Sequence, residues 1–143
     1  MKVTLLFASL FLATGCSSSH ANAQLQDQSY QVAVAFNSIC CGTASDDFLK
    51  TFVQKFNSAN KVKIVADIVA GCGREGEYVV LFRSDKLKTA TGKKFVADLE
   101  KLVPQQEEKN RKLDKSSGGI EVLHNVKVSD YAHCRIKLQK WNY

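Results

Sequence analysis

The 143-residue chain has no hydrophobic run long enough to stay across a bilayer, no block of basic residues, no internal repeat and no C-x-x-C pair. Each absence excludes something. A resident transmembrane helix needs about 20 apolar residues in succession, and the N-terminal apolar run ends at Ala13. Lys and Arg number 20 against 14 Asp and Glu, a net charge of +6. The cations are interspersed with acids, so nucleic acid is not expected as a partner, and weak attraction to anionic surfaces is the most this charge implies. Without C-x-x-C, two neighbouring cysteines cannot readily chelate one metal ion.

What is present begins with "MKVTLLFASLFLATGC", residues 1–16, in which Lys2 precedes an uncharged apolar run, the pattern of an export signal. Its end, "LATGC", resembles the lipobox of bacterial lipoproteins: the small Gly15 precedes Cys16, with Ala13 at the place usually held by a branched aliphatic and Leu12 one step earlier. The resemblance implies removal of residues 1–15, acylation of Cys16 and attachment of the chain to a membrane of the cell envelope, facing the periplasm or the exterior. Residues 16–29, with the run Ser17, Ser18 and Ser19, then read as a tether, in which His20 has no evident role. An alternative is cleavage after Ala23 in the A-x-A stretch Ala21-Asn22-Ala23, which releases a soluble periplasmic or secreted protein. Both routes export the chain.

Residues 30–143 are enough for one domain, and 45% hydrophobic with 24% charged residues is an ordinary globular balance. "YQVAVAF" alternates as a strand, with Val32, Val34 and Phe36 on one face and Ala33 and Ala35 on the other. Ser45 is the expected N-cap of a first helix, followed by Asp46 and Asp47 and then Phe48, Phe52, Val53 and Phe56 at helical spacing, ending near residues 58–60. A second strand over 61–70 places Val62, Ile64 and Ile68 on one face and Val65 and Val69 on the other. "GCG" at 71–73 is the turn of a hairpin to a third strand, "GEYVVLF". A second helix starts between Ser84 and Thr91, buries Phe95, Leu99, Leu102 and Val103, and kinks or ends at Pro104 before a charged, then Ser/Gly-rich stretch. A fourth strand presents Ile120, Val122, His124, Val126 and Val128 on one face, and the tail adds a short strand or a flap.

This order is βαββαβ, which specifies an α+β, ferredoxin-like fold: a four-stranded antiparallel sheet with both helices on one face. The loop after the first strand, with Cys40 and Cys41, then emerges at the same end as the hairpin that carries Cys72.

Of five cysteines, Cys16 is lipidated or removed, leaving Cys40, Cys41, Cys72 and Cys134, an even number in an oxidising compartment. Two disulfides follow. A bond between the adjacent Cys40 and Cys41 strains the intervening peptide, so one of them is expected to take Cys72 and the other Cys134. A second reading makes Cys40, Cys41, Cys72, His133 and Cys134 a soft-metal or thiol-redox cluster. The chain resembles small heavy-metal carrier domains only in placing two cysteines between the first strand and first helix, and it departs from their C-x-x-C. A third reading uses Cys41 as a nucleophile with His133 or His124 as base and Asp130 as orienting acid. The motif residues of papain-like and cell-wall peptidases are not found around it, and no catalytic residue is assigned.

Arg74, beside Glu75 and Glu77, is a candidate anion contact, set against a solvated hairpin with exposed ion pairs. His124 reads as a core or edge histidine rather than a ligand, and Trp141 with Tyr143 as a cover for the open face of the sheet or a partner-contact patch. The expected protein is a small disulfide-stapled interaction module without a cofactor. It sits at the membrane through its lipid and binds an envelope protein or a small ligand.

Overall fold

The computed structural model describes residues 28–113 and 118–143. The expected signal peptide, the acylated Cys16, the alternative cleavage after Ala23 and most of the tether lie outside the described residues. Strands β1 (Ser29–Phe36), β2 (Ala66–Ala70), β3 (Tyr78–Phe82), β4 (Ile120–Lys127) and β5 (Ile136–Lys140) form one antiparallel sheet in the order β4-β1-β3-β2-β5. Helices α1 (Asp47–Asn60) and α2 (Thr89–Leu113) complete an α+β architecture. Among the described residues no helix is long and apolar enough to cross a membrane.

Both helices lie on one face of the sheet. Leu49, Val53 and Phe56 of α1 and Phe95, Leu99 and Val103 of α2 pack with Val32, Val34 and Phe36 of β1 and Val80 and Phe82 of β3. Phe95 is the hub, with its ring against Phe52, Phe56 and Phe82. On the other face Ala33, Ala35, Val69, Val79 and Leu81 form a second, thinner layer with Tyr30, Val126 and Cys134. Burial on both faces explains why β1 and β3 read as nearly continuous apolar runs.

Several local expectations change. Asp46, not Ser45, stands at the N-cap of α1, and it makes no side-chain cap bond. Ser45 instead accepts from the Asp47 amide at 3.2 Å, while its hydroxyl donates to the Asp47 carboxylate at 2.7 Å. Leu49 takes a place in the buried stripe that the phenylalanine spacing did not assign to it. Helix α2 runs through Pro104 for two more turns, supported by Arg111–Glu107 and Lys112–Glu108 pairs at i,i+4. Glu107 also accepts from the Ile120 amide at 2.8 Å, tying this end of α2 to β4. Leu102 is only partly buried, and Gly92 joins the buried face instead. Val65 precedes β2 and is 39% exposed.

The face of β4 switches partway. Val122 packs toward the helices, whereas Val126 and Val128 pack on the opposite layer with Tyr30. Asn125 between them has φ 52°, a left-handed conformation that asparagine tolerates, and Tyr30, paired with Val126 on β1, changes face at the same place. Beyond β4 the chain crosses the open face as a strap, residues 128–135, laying Val128, Tyr131 and Cys134 on it before β5 pairs with β2. The strap is therefore what covers that face. Trp141 and Tyr143, expected there, pack with the helix-side core, where the Trp141 indole donates to Asp46 Oδ2 at 2.9 Å and Tyr143 donates to the Ile64 carbonyl.

Candidate functional site

The hairpin 71–77 is shaped by glycines with positive φ at Gly71 (66°) and Gly76 (89°), and the Cys72 amide closes it on the Glu77 carbonyl at 2.9 Å. The strap arrives beside it: the Arg135 amide donates to the Gly71 carbonyl at 3.2 Å and the Arg135 guanidinium to the Gly73 carbonyl at 3.4 Å. These contacts bring Cys134 against Cys72, and the two form a disulfide with Cα atoms 4.0 Å apart across a sequence separation of 62.

This corrects the expected connectivity. Neither Cys40 nor Cys41 takes Cys72 or Cys134; both lie exposed in the β1–α1 loop. The β1–α1 loop and the hairpin do emerge at the same end of the sheet, where Phe36 pairs with Tyr78. That loop, with positive φ at Cys41 (69°) and Gly42 (102°), continues to Ala44, which packs on the helix-side core, whereas Cys72 and Cys134 pack on the opposite layer. The expected pairing also assumed that all four cysteines divide into two bonds, which set aside any connectivity joining Cys72 to Cys134.

His133 is the third member of this cluster. Its Nε2 is 3.8 Å from Cys134 Sγ, and one ligand-type atom from each of Cys72, His133 and Cys134 falls within 4.8 Å of the others. Cys40 and Cys41 do not belong to it. In the oxidised form the two sulfurs are bonded to each other and are not thiolate ligands. Beside the disulfide opens a groove of about 380 Å³, lined by Asn37, Cys72, Glu77, Glu121, Tyr131 and His133 among others. Each of its carboxylates accepts one hydrogen bond: Glu121 from Asn37 Nδ2 at 2.8 Å, and Glu77 from the Glu75 amide at 3.0 Å. Burial, with the charges of Asp130 and Glu121, pushes the Tyr131 phenol above its ordinary value.

The remaining candidates are dispersed. Arg74 is exposed on the hairpin, and it is Arg135 that binds the hairpin backbone. His124 faces Glu100 of α2 at 3.3 Å on edge strand β4, an edge histidine as expected. Asp130 accepts from the Lys127 amide at 2.9 Å, so its carboxylate serves the turn after β4 rather than orienting a base for Cys41.

A polar cluster that sequence patterning passed over lies at the end of the sheet where β1 and β2 begin and β3 finishes. Asp67 Oδ2 accepts from the Tyr30 hydroxyl at 2.7 Å and from Arg83 Nε and Nη2, each at 3.0 Å. Burial, the bond to Asp67 and its negative charge all push the Tyr30 phenol upward. The one available signal was a carboxylate set in the apolar strand "ADIVA". No protein-family model, curated protein or solved structure matches the chain.

Proposed function

We propose that the chain is an exported bacterial envelope protein, held at a membrane by lipid on Cys16, whose folded domain is a disulfide-stapled interaction module. The observation that carries this reading is the Cys72–Cys134 bond, because disulfides form and persist in the oxidising compartments outside the cytoplasm. The domain begins some dozen residues after Cys16, and the Ser-rich stretch between them suits a tether. We read the fold as ferredoxin-like with an added edge strand: the run β4-β1-β3-β2 is that fold's order, and β5 extends it. The binding partner is an envelope protein or a small ligand, for which the groove beside the staple is the natural seat. No cofactor and no nucleic acid enter this reading.

The test is expression of the full chain with its own leader, followed by membrane fractionation and intact mass. An acylated N-terminus at Cys16 in the membrane fraction is expected, with Cys16→Ser abolishing acylation. A soluble chain starting at Gln24 would replace the anchor with simple secretion. An uncleaved chain in the cytoplasm with Cys72 and Cys134 reduced would refute the proposal.

A further inference from the structure

We infer that the Cys72–Cys134 staple is also a redox-gated soft-metal site, in which Cys72, Cys134 and His133 hold one copper(I) ion once a dithiol reductant has opened the disulfide. The inference goes beyond the interaction module and does not depend on it. Its geometry is nearly assembled. Bonds of about 2.3 Å to sulfur and about 2.0–2.1 Å to imidazole nitrogen, spread in a trigonal plane, put sulfur and nitrogen about 3.8 Å apart. His133 Nε2 already stands 3.8 Å from Cys134 Sγ. The two sulfurs have only to part to about 4 Å, which side-chain rotation supplies.

Two thiolates and one imidazole make a soft, three-coordinate donor set, suited to copper(I). The harder oxygen ligands nearby, Glu77 and Glu121, each accept one hydrogen bond, from the Glu75 amide and from Asn37, and carboxylate oxygen is a poor match for copper(I). Opening proceeds from the groove. Cys72 lines it and Cys134 is 1% exposed, so a thiolate of the reductant attacks Cys72 Sγ and forms a mixed disulfide. Cys134 leaves as a thiolate and takes a proton from the solvent, into which the reductant's thiols release theirs. The second thiol of the reductant then attacks its own mixed disulfide and releases Cys72, which is protonated in turn. The reductant ends as a disulfide, and the protein has gained two electrons and two protons. Copper(I) displaces the two thiol protons, and His133 binds through Nε2.

The experiment uses the full chain carrying C16S, C40S and C41S, so that Cys72 and Cys134 are its only cysteines. Copper(I) itself is the probe, titrated against a chromophoric copper(I) chelator before and after reduction by a phosphine, while Trp141 fluorescence reports the fold. One copper(I) per reduced chain and none per oxidised chain is expected. His133→Ala should weaken binding about tenfold or more, and His133→Cys, which restores a soft ligand, should recover it. Equal copper binding by oxidised and reduced chains would overturn the inference. So would undiminished binding by His133→Ala, or a chain that unfolds on reduction and is not refolded by copper(I).

Discussion

Opening the Cys72–Cys134 bond while leaving its atoms in place isolates what the staple contributes to stability. With a sequence separation of 62 between the joined cysteines, the chain-entropy relation gives about 4 kcal/mol of stabilisation through the unfolded state. Residual structure in the unfolded chain lowers this, so the measured loss should fall at about 2–4 kcal/mol. The strap and β5 keep their own packing after reduction, because Val128, Tyr131 and Leu138 still belong to the layer formed with Ala33, Val79 and Leu81. Total stability of domains this size runs to about 5–15 kcal/mol, so the reduced chain stays folded. Trp141 is the single tryptophan and is 4% exposed against Phe82, which makes its emission a native probe of the core. Urea unfolding of the Cys40→Ser, Cys41→Ser chain, oxidised and reduced, should show the midpoint falling on reduction. A loss under about 0.5 kcal/mol would refute the argument from loop closure. A peptide map of the parent protein that joins Cys72 to Cys40 or Cys41 would refute the connectivity itself.

Three further outcomes follow from the packing and the polar cluster. Phe95→Ala removes a fully buried ring that touches three other aromatic rings and should cost about 3–5 kcal/mol; a loss below about 1 kcal/mol by urea unfolding would mean that α2 is not packed as described. Asp67→Ala leaves the buried Tyr30 hydroxyl and Arg83 without their shared acceptor and should cost about 2 kcal/mol, with Asp67→Asn losing less; a neutral Asp67→Ala would deny the cluster its structural role. Burial raises the Tyr30, Tyr78 and Tyr131 phenols above the ordinary value of 10.0. The folded chain therefore keeps these protons where the unfolded chain loses them, and stability is fully present below pH 10 and falls as pH rises above it. Tyr78→Phe should make that alkaline decline shallower; an unchanged slope in Trp141-monitored unfolding across this range would count against it.

The order of elements, the apolar face of β1, the hairpin at Cys72 and the helical stripe through Phe95, Leu99 and Val103 are legible in the residues alone. Those features are local, written in periodicities of 2 and 3.6 and in the placement of glycines. Tertiary structure alone decided which cysteines meet. Cys40, Cys41 and Cys72 were all expected at one end of the sheet, but an end has two layers, and only the strap's course across the open face puts Cys134 and His133 beside Cys72. On the way into the strap Val126 and Val128 lie on the opposite layer, past the left-handed Asn125, and Tyr30 on the paired β1 changes face with them. A change of face shared by two paired strands leaves no trace in hydrophobic patterning. The Tyr30–Asp67–Arg83 cluster escaped for the same reason, since its members lie 37 and 16 residues apart and meet only through the register of paired strands.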